Sequence, residues 1–555
     1  MNRQGAARIT SPGAIRARAR DALVLVGRVV LATIAATVVA ARAGGAEPFA
    51  GPVGTMRLHI APGDEQRLRD APRRYVACRL DTEGGDSLDG VAVKLKGAAG
   101  SFRDYDDRPG LTLHVARTIA GRRFHGLEKF HLNNAVQDDT FAHEWLFAAL
   151  AADAGLPAPR VGHVRLWIND RDLGLYVLRE GFDTPFLERH FGSAEGNLYD
   201  GGFCQDVDTE LEKDSGAGPD DRSDLSALVA ACRADGPGRR EAIAAVLDVD
   251  RFLTLVALEA MTVHWDGYTS GVNNYRLLFP PPAGPAVFLP HGADQLFGDP
   301  DASILDPPRG LVAAAVMGEP AWRAAWRERV RESLPLFDPP DGLVARVRAL
   351  RDRLAVPLAA IDPALDAAHA ARCDELVERL RAHAAALRIQ AHAPDPPPLV
   401  FDDSAPLRPT DWQPATAAEG ASLERHETDA GPRLEINATP GIPCTASWRC
   451  RLRLPRGTYR LRMPLGTRGV EALEDEKGRG AGVRISGAPR DQGLEGTSRG
   501  VVEHVFYVDH ESGDVELVAE LRATAGQVSF EAFACEVVRL GAPAAAEGPA
   551  EVVSP

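Results

Sequence analysis

Apolar and polar residues alternate with period two over residues 56–60, 75–80, 91–96, 111–115 and 129–134, and each run predicts a short strand with one buried face. Gly97-Ala98-Ala99-Gly100-Ser101 separates the third run from the fourth, so 91–115 reads as a hairpin with a long, glycine-containing connection. Asp138-Asp139-Thr140 supplies a helix start, Phe141, Trp145, Ala149 and Leu150 then share one face of a helix over 141–152, and Gly155-Leu156-Pro157 ends it. Residues 161–168 and 174–179 form a second strand pair about the polar turn Asn169-Asp170-Arg171-Asp172. The acidic stretch 202–224 reads as a solvated loop, since the glycine and ligand spacing of an EF-hand is missing. Helical patterning resumes at 239, with a buried helix over 249–263. A polar loop, strands at 274–279 and 286–289, and a sharp turn at His291-Gly292-Ala293-Asp294 follow.

Beyond residue 320 the period changes for good. Ala, Arg and Leu recur at helical spacing over 320–392, punctuated by Pro339-Pro340 and Val356-Pro357, and 394–398 is a proline-rich linker. Short apolar segments at 452–454, 458–463, 482–486, 501–508, 515–521 and 528–540 then predict an antiparallel β-sandwich of the jelly-roll kind. The fold class expected is α+β, in six parts: a leader or anchor at 1–46, a core at 47–318, a helical extension at 319–393, a linker at 394–400, a β-sandwich at 401–541 and a disordered tail at 542–555.

Composition adjusts this picture in three places. Arginines at 3, 8, 16, 18 and 20 precede an apolar run over 29–41 and a small-residue cleavage region, the layout of an export signal. That run is short for a bilayer, which needs about 20 residues, unless 22–27 extend it into an uncleaved anchor. An exported chain, in periplasm, envelope or medium, meets a membrane only there. The net charge of −15 excludes a general nucleic-acid binder, which needs a basic face. Seven cysteines in such a chain permit disulfides, and Cys444, Cys450 and Cys535 share one module in which two of them can pair. Of only five lysines, Lys94, Lys96 and Lys129 fall in one stretch, which marks positions needing a compact ammonium rather than a guanidinium.

Phosphoryl transfer requires a backbone cradle for phosphates, a cation on their oxygens, carboxylate and amide oxygens for a divalent metal, and a carboxylate facing the attacking hydroxyl. The chain supplies these in order. A glycine-containing turn carries Lys96, a helix carries Glu144, the polar loop runs from His264-Trp265-Asp266 to Asn273-Asn274, and a hairpin leads to Asp294. Taken singly, each has a plainer role: Asp266 and Asp294 as turn aspartates, Asn273 and Asn274 as turn residues, Glu144 as a solvated carboxylate, Lys96 as a surface lysine. His143-Glu144 begins like a zinc-protease helix, but Phe147 stands where the second histidine is required.

Several stretches resemble signatures of the spore-coat protein H (CotH) family of atypical kinase-like proteins. They are Val93-Lys94-Leu95-Lys96-Gly97 with Arg108-Pro109, Phe130-His131-Leu132-Asn133-Asn134, Asn169 with Gly174-Leu175-Tyr176-Val177-Leu178-Arg179-Glu180, Gly196-Asn197-Leu198-Tyr199-Asp200, His264-Trp265-Asp266 with Asn273-Asn274-Tyr275, and Pro290-His291-Gly292-Ala293-Asp294-Gln295-Leu296-Phe297-Gly298. The resemblance covers roughly residues 55–300 and implies an atypical kinase core, binding ATP and Mg2+ or Mn2+ and phosphorylating protein Ser or Thr, or an envelope polymer. It implies Asp266 as the catalytic-loop carboxylate, Asn274 (or Asn273) and Asp294 as metal ligands, and Lys96 or Arg108 on the phosphates beside Gly97 and Gly100. Glu144 is then the ion-pair partner of that cation. Three departures accompany it: several relatives carry lysine where Arg108 stands, many carry a second aspartate where Gly292 stands, and the interval from Asp266 to Asn273 is longer than in conventional protein kinases. The rival expectation is a catalytically silent envelope or coat protein whose C-terminal module binds a glycan; Trp412 and Trp448 are candidates for its platform, but the stronger expectation for both is a buried place in the sandwich core.

Overall fold

The computed structural model describes residues 49 and 51–541 apart from 219, 282–283, 301, 396–398, 402–404, 415–419, 474–477, 487 and 491. The expected leader at 1–46, the tail at 542–555 and residues 396–398 of the linker lie outside the described residues. None of the described helices is long and apolar enough to cross a membrane.

The alternating runs become strands β1 (Gly54–Ile60), β2 (Val76–Thr82), β3 (Ser87–Lys96), β4 (Gly110–His114), β5 (Lys129–Asn133), β6 (Val161–Ile168) and β7 (Arg171–Glu180), with helix α1 (Pro62–Asp70) after β1 and α2 (His143–Asp153) after β5. They close into a barrel in the order β1-β2-β3-β4-β5-β7-β6, and β1 seals it by pairing parallel to β6. Closure leaves no open sheet edge. Every second residue points inward, so Leu58, Leu80, Val93, Leu113, Phe130, Leu166 and Tyr176 fill one core; truncating a leucine there would cost about 2–5 kcal/mol. Helix α2 opens at His143 rather than 141, because Phe141 takes a positive φ of 54° and the Asp138 carboxylate accepts the His143 N–H at 2.8 Å.

The next part contains α3 (Thr184–Phe191), β8 (Asn197–Asp200), β9 (Glu212–Ser215), α4 (Ser223–Arg233), α5 (Arg239–Val246), α6 (Val249–Met261), the short α7 (Tyr268–Gly271), β10 (Tyr275–Phe279) and β11 (Val287–Pro290). The strands form a sheet of order β11-β10-β8-β9. The acidic stretch expected to be a loop thus contains β9, whose backbone pairs with β8, and the start of α4. Helices α8 (Leu311–Gly318), α9 (Pro320–Ser333), α10 (Asp341–Ala359) and α11 (Pro363–His392) follow, and α10 continues through Pro357, which sits in its last turn instead of breaking it. The boundary expected at 318 is not a break in packing: Val347, Leu350, Leu376 and Leu380 share one core with Phe147, Leu255 and Met261.

The C-terminal part has β12 (Gln413–Pro414), β13 (Ala421–Thr428), β14 (Gly431–Ala438), β15 (Cys444–Ala472), β16 (Gly480–Ile485), β17 (Gly496–Phe530) and β18 (Glu536–Gly541). Its strands pair in the order β12-β15-β17-β14-β13, with β16 added on β17 and β18 on β15, and residues 465–467 of β15 pair on both sides with β17, opposite 498–500 and 528–530. Partners along β17 fall as β15 rises, from Cys444 opposite Ala523 to Val470 opposite Gly496, the antiparallel sense. Strands of 29 and 35 residues far exceed the usual 3–10, and the expected short segments merge within them. The segment expected at 528–540 is interrupted by a helical turn at Ala532–Ala534. Trp412 and Trp448 are 1% and 3% exposed inside this core, which removes both as a glycan platform. All seven cysteines are free thiols, and the pairing that the sequence left open among the three C-terminal ones is not formed.

Candidate active site

A cleft of about 800 Å³ is lined from the barrel side by the ends of β3 and β5 and from the helical side by the loops around Asp266 and Asp294. On the barrel side, β3 delivers Lys96 opposite Gly110. The Asn133 amide, at the end of β5, accepts from Lys96 Nζ and donates to Glu144 Oε2. Glu144 is only 6% exposed in the first turn of α2, and its other oxygen stands 2.9 Å from Nε of Arg179 on β7. The contact partner of Glu144 is therefore Arg179, and Lys96 reaches that carboxylate through an amide and its field. Burial lowers the Lys96 ammonium to about 8, with Glu144 opposing and Arg179 adding to the fall. Burial likewise lowers Arg179 to about 10, again with Glu144 opposing.

Gly97 turns the chain out of β3 at φ 112°, where a Cβ would lie 3.0 Å from the Phe102 backbone; a side chain is excluded on both counts. Asn134 Nδ2 donates to the carbonyls of Ser101 and Arg108 at 3.0 and 2.8 Å, pinning both ends of the 97–109 connection. Gly100 and Arg108 are not brought into the lining. The Arg108 guanidinium donates to the Leu175 carbonyl and lies 5.2 Å from the Tyr176 ring centre, so it packs the connection against β7.

On the helical side, the loop after α6 is fastened by Glu259, whose buried carboxylate accepts the Tyr268 and Thr269 N–H groups at 3.1 and 2.8 Å. Asp266 is gripped by both asparagines: Asn273 Nδ2 donates to Oδ1 at 3.1 Å and Asn274 Nδ2 to Oδ2 at 2.7 Å. The Asn273 oxygen accepts from the Cys204 N–H at 3.3 Å. The Asn274 oxygen has no donor among the described residues and faces Gly292, where a Cβ would come within 2.2 Å of it. The His291 N–H donates to the Asn274 carbonyl at 3.1 Å, which fastens the strand leading to Asp294 onto the same loop. Desolvation raises the Asp294 carboxyl to about 7, Glu144 adding to the rise and Lys96 opposing it. No cation makes an ion-pair contact with Asp294 among the described residues.

Of the anticipated residues, Lys96, Gly97, Glu144, Asp266, Asn273, Asn274 and Asp294 share this cleft. Seven carboxylates line it against Lys96 and Arg276, and Arg276 is itself paired with Asp200 at 2.7 Å. The cleft therefore attracts cations. His291 in its lining and His264 beside it are held neutral: burial pushes His264 to about 4 and His291 well below its ordinary value. No group of three or more His, Cys, Asp or Glu among the described residues is placed to hold a metal ion alone. Sequence reasoning gave no role to Asn133, Arg179 or Glu259. A signal existed for the last two, since each is a charge inside an apolar strand or helix, a placement that demands a partner.

One solved structure, described as "CBM4 structure and function", is 15% identical with a TM-score of 0.17, covering 24% of this chain and 88% of that one. The carbohydrate binding module (CBM6cm-2) from Cellvibrio mixtus lichenase 5A in complex with cellotriose is 11% identical with a TM-score of 0.16, covering 24% and 99%. Scores of this size carry no inference about fold or ligand here. Invasin CotH7 of Rhizopus delemar is 25% identical over 158 residues, spanning 25% of this chain and 26% of that protein. The family described as CotH kinase protein matches residues 93–385, from the strand that carries Lys96 to the helix that completes the shared core. With more than half of its length matched, and with the cleft built from the matched part, this chain belongs to the CotH kinase protein family.

Proposed function

We propose that the chain is an exported phosphotransferase that binds ATP in the acidic cleft and moves its terminal phosphate to a hydroxyl of a protein Ser or Thr or of an envelope polymer. One observation carries this reading. Lys96, Asp266, Asn274 and Asp294 line a single cleft whose charge is strongly negative, so a polyphosphate enters it only with cations. The residues fit Mg2+ or Mn2+: Asp294 is a desolvated carboxylate without a contacting cation, and Asn274 offers an amide oxygen without a donor. Phosphate and water oxygens would complete the shell, as is usual for Mg2+, and the ion would neutralise phosphate charge.

The chain's own groups do the rest. Lys96, held by Asn133 and Glu144, places an ammonium against phosphate oxygens. Asp266 orients the attacking hydroxyl and receives its proton, and the amides of Asn273 and Asn274 fix both carboxylate oxygens in place. Titrating the purified protein with ATP, with and without MnCl2, tests the reading. Binding is expected only with the metal, and Asp294→Ala is expected to abolish it. Metal-independent binding or none would leave the catalytically silent envelope protein as the better account.

A further inference from the structure

Trp265 stands on a wall between two clefts. The residue is 56% exposed, it precedes Asp266, and it lines both the acidic cleft and a second one, about 940 Å³, between the helical part and the C-terminal sheet. The walls of this second cleft are fixed to each other. Arg323, 3% exposed, grips Asp514 of β17 and holds Asp395 at 2.7 Å, and Arg451 of β15 reaches Asp306 at 2.7 Å.

The second cleft differs in charge from the first. Four carboxylates face three arginines in its lining, and three of the carboxylates are paired: Asp306 with Arg451, Glu516 with Arg449, and Asp514 with Arg323, which lies outside that lining and supplies a fourth guanidinium. Such a surface exerts little net field on a charged peptide or a phosphate. It still presents guanidinium N–H donors and carboxylate acceptors with capacity to spare. Trp265 from one wall and Tyr507, 45% exposed, from the other add aromatic surface, which suits a ligand with apolar faces and polar edges.

We propose that the second cleft binds an uncharged glycan chain across Trp265 and Tyr507. Resting on the phosphotransfer reading, this glycan is the acceptor. One of its hydroxyls gives its proton to Asp266 as the hydroxyl oxygen bonds to the terminal phosphorus of ATP, the bond from that phosphorus to the bridging oxygen breaks, and ADP leaves.

The test uses the full chain with two neutral probes, cellohexaose and chitohexaose, titrated by tryptophan fluorescence. Saturable binding of at least one is expected, weakened tenfold or more by Tyr507→Ala and by Arg451→Ala and retained in Asp294→Ala. Both substituted side chains are solvent-accessible, and because Arg451 also bridges the walls to Asp306, Tyr507→Ala carries the contact test while a melting curve for each variant checks that the fold is kept. Absence of binding by both probes overturns the proposal, as does binding that neither Tyr507→Ala nor Arg451→Ala weakens. Glycan binding without metal-dependent ATP binding sinks the phosphotransfer reading and the acceptor role but leaves the glycan site. Metal-dependent ATP binding without glycan binding does the reverse, and transfer to casein that neither saccharide inhibits refutes the acceptor role.

Discussion

Replacing Asp294 with asparagine should make the protein more stable at alkaline pH when no divalent ion is present. The Asp294 carboxyl faces Glu144 on α2, Asp138 before that helix and Lys96 on β3, and desolvation followed by Glu144 raises it from 3.8 to about 7. A carboxyl whose folded value exceeds its unfolded value holds its proton more tightly in the folded chain. Its contribution to stability is therefore complete below the unfolded value and is lost as pH rises through about 4 to about 7. Each pH unit in that window is worth ~1.4 kcal/mol, so wild type should lose about 3 kcal/mol against Asp294→Asn between pH 5 and pH 8. For a unit of this size ~1 kcal/mol moves the Tm by about 2 °C, which gives a gap widening by about 6 °C. His114 and His264, both lowered to about 4 by burial, contribute with the opposite slope, but equally in the two proteins, and cancel in the difference. Thermal unfolding across this range with a chelator present is the assay. Adding Mg2+ or Mn2+ at pH 8 should restore the wild type and leave the variant unmoved, because only the ionised carboxylate gains from the ion. A gap that stays flat with pH, or a metal effect equal in both proteins, refutes the assignment of Asp294.

Three further outcomes follow from the same geometry. Glu144→Ala strands the Arg179 guanidinium, 1% exposed, and should cost about 3–5 kcal/mol by denaturant unfolding of the core; a loss under 1 kcal/mol would mean that the pair is not desolvated. Glu259→Ala orphans the Tyr268 and Thr269 N–H groups, each worth about 1–3 kcal/mol when buried, and should weaken ATP binding together with stability through the loop that carries Asp266. Gly292→Asp adds a side chain at φ 58° where Asn274 leaves no room; it should cost about 1–3 kcal/mol and reduce Mn2+-dependent ATP binding, and unchanged binding would show that Asn274 is not a ligand.

Which of these residues the sequence disclosed depends on how local their partners are. Alternation located the barrel strands because the pleat makes burial repeat every second residue within one strand, yet the parallel pairing of β1 with β6 joins residues about a hundred positions apart and leaves no local trace. The same holds for the merged strands. Apolar positions on both sides of Pro455 were visible, while the continuity of β15 through it follows from β17 lying alongside. At the site, Asp266 and Asn274 lie within one loop and meet directly, so a motif and its spacing were enough to pair them. Glu144 shows the other case. Its cation lies on β7, and β7 reaches α2 because the barrel order is β5-β7-β6 rather than sequential, which sets Arg179 opposite His131 of β5. Sequence order offered Lys96 and Arg108 as partners, both arriving earlier in the chain. The fold instead gives Arg108 to the Leu175 carbonyl and the Tyr176 ring and interposes Asn133 before Lys96. Lys96 thereby keeps an ammonium near Glu144 without a contact ion pair to hold it, and that is the state the proposed phosphate contact requires.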